Sequence, residues 1–138
     1  MFVQRDADGK IKGLFRQSQT GIAEEEIDDD APELLMYSAA QQRLEEVRGI
    51  EAQRDAALLA GVAWNGRNWH LDPTFQAQLT ALLTANALGL VAGPVSIRTR
   101  DNEIVQLDIA QLKTLAATVL QRVQQIYAES WAAKDALP

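Results

Sequence analysis

Gly61-Val62-Ala63-Trp64-Asn65-Gly66-Arg67-Asn68-Trp69-His70-Leu71-Asp72-Pro73 decides the fold class of this chain. Asn-Gly suits the two left-handed positions of a type I′ turn, so Trp64 pairs with Arg67 and Val62 lies opposite Trp69. Side chains alternate along a strand, and Val62, Trp64, Trp69 and Leu71 then share one apolar face. Asp72-Pro73 follows at once, a capping residue ahead of a first-turn proline. The helix it opens runs through Phe75, Leu79, Leu82, Leu83, Leu88 and Leu90, with Gln76, Thr80 and Thr84 on the other side. It is expected to end around Gly89 to Gly93, before Pro94. A hairpin feeding an amphipathic helix predicts an α+β domain. The tryptophan pair has two readings: a surface that stacks sugars or bases, or core covered by the helix. The complementary stripe on that helix favours core.

The pattern repeats toward the C-terminus. Val95 to Thr99 and Glu103 to Leu107 form a second hairpin if Arg100-Asp101-Asn102 is a three-residue loop with Asn102 left-handed. This register sets Val95 against Leu107 and Ile97 against Val105. Arg98, Arg100, Asp101 and Glu103 are read as ion pairs at strand ends, since no nucleophile or histidine accompanies them. Asp108 with Gln111 is a capping-box pair, opening a helix in which Ile109, Leu112, Ala116, Val119, Val123 and Ile126 recur at steps of three and four. Tyr127, Trp131 and Lys134 occupy a neighbouring face and are expected to close the base of the core. The predicted core thus comprises Trp64, Trp69, Leu79, Leu82, Ile97, Val105, Val119, Tyr127 and Trp131, in short antiparallel hairpins alternating with amphipathic helices and ending in a long one.

Toward the N-terminus the pattern loosens. Pro32 to about Leu59 favours helix, with a seam at Leu34, Tyr37, Ala40, Leu44 and Val47; Gly49 interrupts it, giving two pieces or one bent helix. Ahead of it Glu24 to Asp30 holds six acids in seven residues. The run lacks the alternating ligand spacing of a calcium loop and sits where a helix N-terminus favours negative charge, with Asp30 or Ala31 at the cap. Phe2 to Arg5 and Ile11 to Arg16 flank Asp8-Gly9 as a first hairpin. Pairing Phe2 with Phe15 and Asp6 with Ile11 puts Phe2, Ile11 and Phe15 on one face. A lone hairpin is marginal in water, so this face and the helical seam need cover. Phe2, Ile11, Phe15, Leu34, Tyr37 and Leu44 are therefore the expected partner-binding residues. Residues 1–45 form a docking arm and 46–138 the main domain, with the boundary near residues 40 to 50.

Composition limits the function. The chain has 138 residues, 47% of them hydrophobic, a net charge of −6 and a pI near 4.7. The charge is uneven: 7 basic and 13 acidic residues up to Ala60, and 6 of each from Gly61 onward. That balance argues against a nucleic-acid partner. There is no cysteine, so no disulfide or thiolate metal site, and no apolar run long enough to span a membrane or signal export. His70, the sole histidine, has no metal-ligand spacing around it, and no phosphate loop, dinucleotide fingerprint or nucleophile elbow occurs. The sequence therefore predicts no catalytic residue, cofactor or metal. A small hydrolase would need His70, Asp72 and a hydroxyl in one cleft.

Gly61 to Lys134 resembles the DUF4376-type domain of tailed-bacteriophage proteins. That family is recognised by a Trp-Asn-Gly-like hairpin, an aspartate opening an apolar helix with a glutamine, a Trp-Arg-Thr-x-Asp-Asn turn, and a terminal aromatic helix near Trp-x-x-Lys. The matching elements are Trp64-Asn65-Gly66, Asp72 with Gln76 or Gln78, Ile97-Arg98-Thr99-Arg100-Asp101-Asn102, and Tyr127 through Trp131 to Lys134. The likeness extends over about residues 45–138. Two departures stand out: Ile97 where the family often has tryptophan, and Gln124 near a common histidine. The N-terminal hairpin, acidic run and Asp30-to-Glu33 segment resemble leaders of small tail and tail-fibre-associated proteins. The resemblance implies a non-enzymatic structural component of a phage tail, at the fibre or baseplate, located in the virion. The alternative is a tail-fibre assembly chaperone acting in the host cytoplasm. It implies a fibre or baseplate protein as partner and allows a homo-oligomer, a trimer among them. It carries over no catalytic residue. Receptor binding through exposed Trp64 and Trp69 is a third class.

Overall fold

Short antiparallel strands are interleaved with three helices in the computed structural model, which describes residues 1–138. The architecture is α+β, and it divides into two units, Met1–Arg48 and Gly49–Pro138.

In the first unit β1 (Phe2–Arg5) lies between β2 (Ile11–Phe15) and β3 (Glu25–Glu26). Phe2 pairs with Phe15 as expected, but Arg5, not Asp6, stands opposite Ile11. The cause is a bulge: the register shifts between Gln4 and Arg5, leaving one extra residue on β2. The turn is also wider than a two-residue one. Asp6 N donates to Lys10 O at 2.8 Å, Gly9 N donates to Asp6 O at 3.0 Å, and only Gly9 takes positive φ, at 80°. As residues opposite one another share a face, the bulge moves Ile11 away from Phe2 and Phe15 onto the side of Val3. Val3, Ile11, Ala23 and Leu34 are the buried apolar residues of this unit.

The acidic run does more than precede a helix, because Glu25 and Glu26 form an edge strand against Val3 and Phe2. Arg5 explains how that edge is held. Its guanidinium donates to both Glu25 oxygens at 2.7 Å and also to Glu33. The Glu25 bond, then the Glu33 bond, raise the Arg5 pKa, while the bond from Arg5 holds the Glu25 carboxyl below its usual range. The helix α1 spans Pro32–Ala60 as one continuous element, so Gly49 does not divide it. Ala31 is its cap residue, accepting the first bond from Leu35 N at 3.0 Å.

The second unit contains the end of α1, β4 (Val62–Trp64), β5 (Arg67–Trp69), α2 (Pro73–Ala87), β6 (Val95–Arg98), β7 (Ile104–Leu107) and α3 (Ile109–Asp135). Both hairpins have the registers their turns dictate. Val62 pairs with Trp69 around Asn65 (φ 53°) and Gly66 (φ 74°), while Val95 pairs with Leu107 and Ile97 with Val105 around Asn102 (φ 66°). Asp72 accepts from Phe75 N at 2.8 Å, and Asp108 and Gln111 form a complete capping box. α2 stops earlier than the leucine spacing suggests. It ends at Ala87, Gly89 reverses the chain at φ 74°, and Leu88 and Leu90 lie beyond it, exposed.

One apolar cluster joins these elements: Trp69, Leu71, Phe75, Leu79, Val95, Ile97, Leu107, Leu112, Leu115, Val119 and Ile126, with Trp64, Leu82, Val105 and Val123 partly buried against it. Trp69 is the centre of the hairpin face. Its ring stands edge-on to Trp64 at 5.8 Å, stacks near Phe75 at 6.4 Å, and its indole N–H donates to Trp64 O at 2.9 Å. Trp131 is a correction. It is 59% exposed, because Ser130 takes the inward position four residues after Ile126 and the next residue turns about 100° away. The Trp131 ring rests instead on Tyr127, 5.9 Å between centroids.

Candidate functional site

A depression of the second unit forms where the chain changes direction after β5. Asp72 ends the hairpin and starts α2, which turns Leu71 into the core and leaves His70 and Gln76 at the surface. The end of α1 contributes Asp55, Leu58 and Leu59; α3 contributes Val123 and Tyr127. Together with Arg100 from the β6–β7 loop these enclose a cleft of about 690 Å³. A second depression of about 620 Å³ adjoins it across His70, Asp72 and Arg100, and is lined further by Thr74, Phe75, Gln78 and Asn102. The first is lined mostly by apolar surface, with Asp55, His70, Asp72, Gln76 and Arg100 as its polar members; the second is mixed.

Arg100 stands where the two meet, and its placement has two causes. Its backbone N–H donates to Asn68 O at 3.0 Å, tying the loop to the first hairpin. Its stem crosses Gly61, where an added Cβ would lie 3.1 Å from the Arg100 Cδ and 2.5 Å from Trp69 O. Glycine at 61 thus both allows the positive φ of 80° and leaves room for the arginine. The neighbouring arginines are engaged: Arg98 donates to Asn102 Oδ1 at 2.9 Å, and Arg67 to Glu103 at 3.3 Å. The Arg100 guanidinium has no such partner.

His70 lies nearer a carboxylate than its isolation in sequence suggests. Nδ1 is 3.7 Å from Asp72 Oδ2, and the ring stands edge-on to Phe75 at 5.9 Å. Asp72 is already committed through its other oxygen to the α2 cap. Thr99, buried beside them, accepts from Glu103 N at 3.1 Å and so belongs to the turn. No three His, Asp or Glu side chains converge on a point where a metal ion would sit.

The other polar contacts of this unit fasten helices. Lys134 Nζ donates to Glu51 Oε1 at 2.9 Å, and that bond, followed by the Lys134 charge, holds the Glu51 carboxyl below its usual range. Arg54 bonds Asp55 at 2.9 Å, which raises its pKa, and lies over the Tyr127 ring at 5.7 Å.

Of the expected partner-binding residues, Ile11 and Leu34 are buried within the chain and offer nothing to a partner; Phe2, Phe15 and Tyr37 are half-buried, and Leu44 is exposed. Of the expected core residues, Trp69, Leu79, Ile97 and Val119 are buried, and Trp64, Leu82, Val105 and Tyr127 are half-buried. The cleft was not foreseen, since its lining comes from four separate stretches, and the sequence reading assigned Arg100 to a strand-end ion pair that it does not make; Glu103 pairs with Arg67 instead.

No helix is long and apolar enough to cross a membrane. Neither a curated protein nor a solved structure matches this chain. The model of one family, described as a domain of unknown function (DUF4376), matches residues 39–138, well over half the chain. The chain belongs to the DUF4376 family.

Proposed function

We propose that this protein is a non-enzymatic structural component of a bacteriophage tail, associated with the fibre or baseplate, and that it docks there through α1. The observation that carries the docking is the bareness of that helix in the first unit. Leu35 is 55% exposed, Met36 74% and Leu44 49%, and the only buried residue of α1 is Leu34. Large apolar side chains left exposed along a helix offer contacts to a partner. The phage setting comes from the sequence resemblance described above. Mass spectrometry of purified virions tests the proposal: the protein is expected in mature particles, and its absence sinks the structural role.

A second reading is a tail-fibre assembly chaperone, favoured by the exposed acids from Glu24 to Asp30. Such a surface screens a basic partner until assembly. Pull-down from infected lysate separates the two, because a chaperone co-purifies with fibre protein before assembly and is missing from finished particles.

A further inference from the structure

We propose that the cleft beside Arg100 binds the C-terminal end of a polypeptide whose last residue is apolar. The α-carboxylate is held by Arg100, the last side chain fills the larger depression, and the preceding residues run into the adjoining one. This does not rest on the tail reading, since it concerns the chemistry of the cleft alone.

Four observations converge on that ligand. First, Arg100 is positioned by its backbone bond to Asn68 O at 3.0 Å and by the fit of its stem over Gly61, yet its guanidinium is unpaired while Arg67 and Arg98 are engaged. A planar fork with free donors matches a carboxylate. Second, the depression beside it, about 690 Å³, is walled by Leu58, Leu71, Val123 and Tyr127, which suits an apolar side chain and lies within the usual size of ligand sites. Third, Asp55 and Asp72 line the same depression. Two carboxylates repel a phosphate or polyanion more than a single carboxylate, and each keeps a second oxygen beyond its bond to Arg54 or to Phe75 N, so they favour a ligand with one negative charge and nearby donors. Fourth, the cleft does not end at Arg100. It continues for about 620 Å³ past Thr74, Gln78 and Asn102, whose side chains can bond a peptide backbone. A free amino acid would fill one depression only, whereas a chain end fills both.

The test uses the full chain and fluorescein-labelled hexapeptides of Gly and Ser ending in Leu, Ile, Val or Phe, each as free acid and as C-terminal amide. At least one acid is expected to bind by fluorescence anisotropy, with its amide weaker by about tenfold or more, the loss of a charge-assisted hydrogen bond. Arg100→Gln should weaken the acid by a similar factor and leave the amide unchanged. Arg100→Lys should recover only part, since it keeps the charge and loses the fork. Asp101→Asn, in the same loop but outside the cleft lining, should change nothing. Urea midpoints for each variant separate lost binding from lost folding, and amide shifts on peptide addition should centre on His70, Gln76 and Arg100. Failure of all four acids to bind at millimolar concentration overturns the proposal, as does equal binding of acid and amide. Free leucine competing as well as the peptide overturns the polypeptide assignment and makes the ligand an amino acid.

Discussion

Replacing Gly61 by alanine isolates what that glycine does, because Gly66, five residues on in the hairpin turn, provides a control. Both have left-handed φ, +80° and +74°. An alanine at either site carries the cost of that conformation, about 1–2 kcal/mol. At Gly66 nothing lies within 4 Å of the new Cβ, so the conformational cost is the whole effect. At Gly61 the Cβ would stand 2.5 Å from Trp69 O and 3.1 Å from the Arg100 Cδ. The carbonyl is backbone in a paired strand and cannot swing aside, so the hairpin shifts, at a further ~1–3 kcal/mol typical of overpacking. The expected totals are ~1–2 kcal/mol for Gly66→Ala and ~2–5 kcal/mol for Gly61→Ala. Urea unfolding followed by tryptophan fluorescence measures both, since Trp64, Trp69 and Trp131 all lie in the second unit. Because Arg100 is displaced as well, Gly61→Ala should also weaken the acid peptides. A midpoint for Gly61→Ala equal to that of Gly66→Ala, at equal slope, would refute the packing argument.

The remaining predictions concern the two long helices and the tryptophans. Asp108→Ala should cost ~1 kcal/mol through loss of the α3 cap, with Asp108→Asn retaining most of it, and equal midpoints for all three proteins would count against the capping box. Trp69→Ala should cost ~3–5 kcal/mol, whereas Trp131→Ala should stay within ~1 kcal/mol; iodide should quench wild type more than Trp131→Phe, and the reverse order would put Trp131 back in the core. Glu51 titrates below its ordinary 4.5 because Lys134 bonds and faces its ionised form. A depressed carboxyl contributes stability above its unfolded pKa, and the contribution disappears as pH falls through the lower native value. Glu51→Gln should therefore flatten the acid loss of stability between roughly pH 5 and 2, and an unchanged slope would show that the pair contributes nothing.

The turn and cap chemistry of the second unit was legible because each device acts within a few residues. Asn65-Gly66, Asn102, Asp72 and Asp108 fix φ values or satisfy orphan N–H groups locally, and the registers of β4–β5 and β6–β7 follow from them. The first hairpin departs from its sequence pattern for a complementary reason. Its turn has one left-handed residue, not two, and a bulge on β2 restores the pairing by changing which face Ile11 occupies; alternation in sequence cannot reveal a skipped residue. β3 was hidden because two glutamates have no strand propensity of their own, and what holds them, the pairing with Phe2 and Val3 and the Arg5 fork on Glu25, is long-range. Trp131 was placed in the core by residue type, although the helical period that ran through Ile126 assigns Ser130 to that face.

Turns, caps and packing account for most of the residues that the sequence singles out in the second unit, and that narrows where binding can reside. Trp69, Ile97 and Val119 are consumed by the core, Asn65 and Asn102 by turns, Asp72 and Asp108 by caps, and Lys134 by Glu51. Arg100 belongs to the same Arg-Thr-x-Asp-Asn turn, yet the turn does not use its side chain. Hydrogen bonds from Thr99 N to Glu103 O and from Asn102 N to Thr99 O close the loop whatever residue stands at 100. A lysine, serine or glutamate would serve that loop equally, and only a long side chain reaches across Gly61 to the cleft. If Arg100→Ser leaves the urea midpoint within ~0.5 kcal/mol of wild type while abolishing discrimination between acid and amide peptides, the arginine is there for a ligand; a loss of stability with binding intact would return it to the architecture.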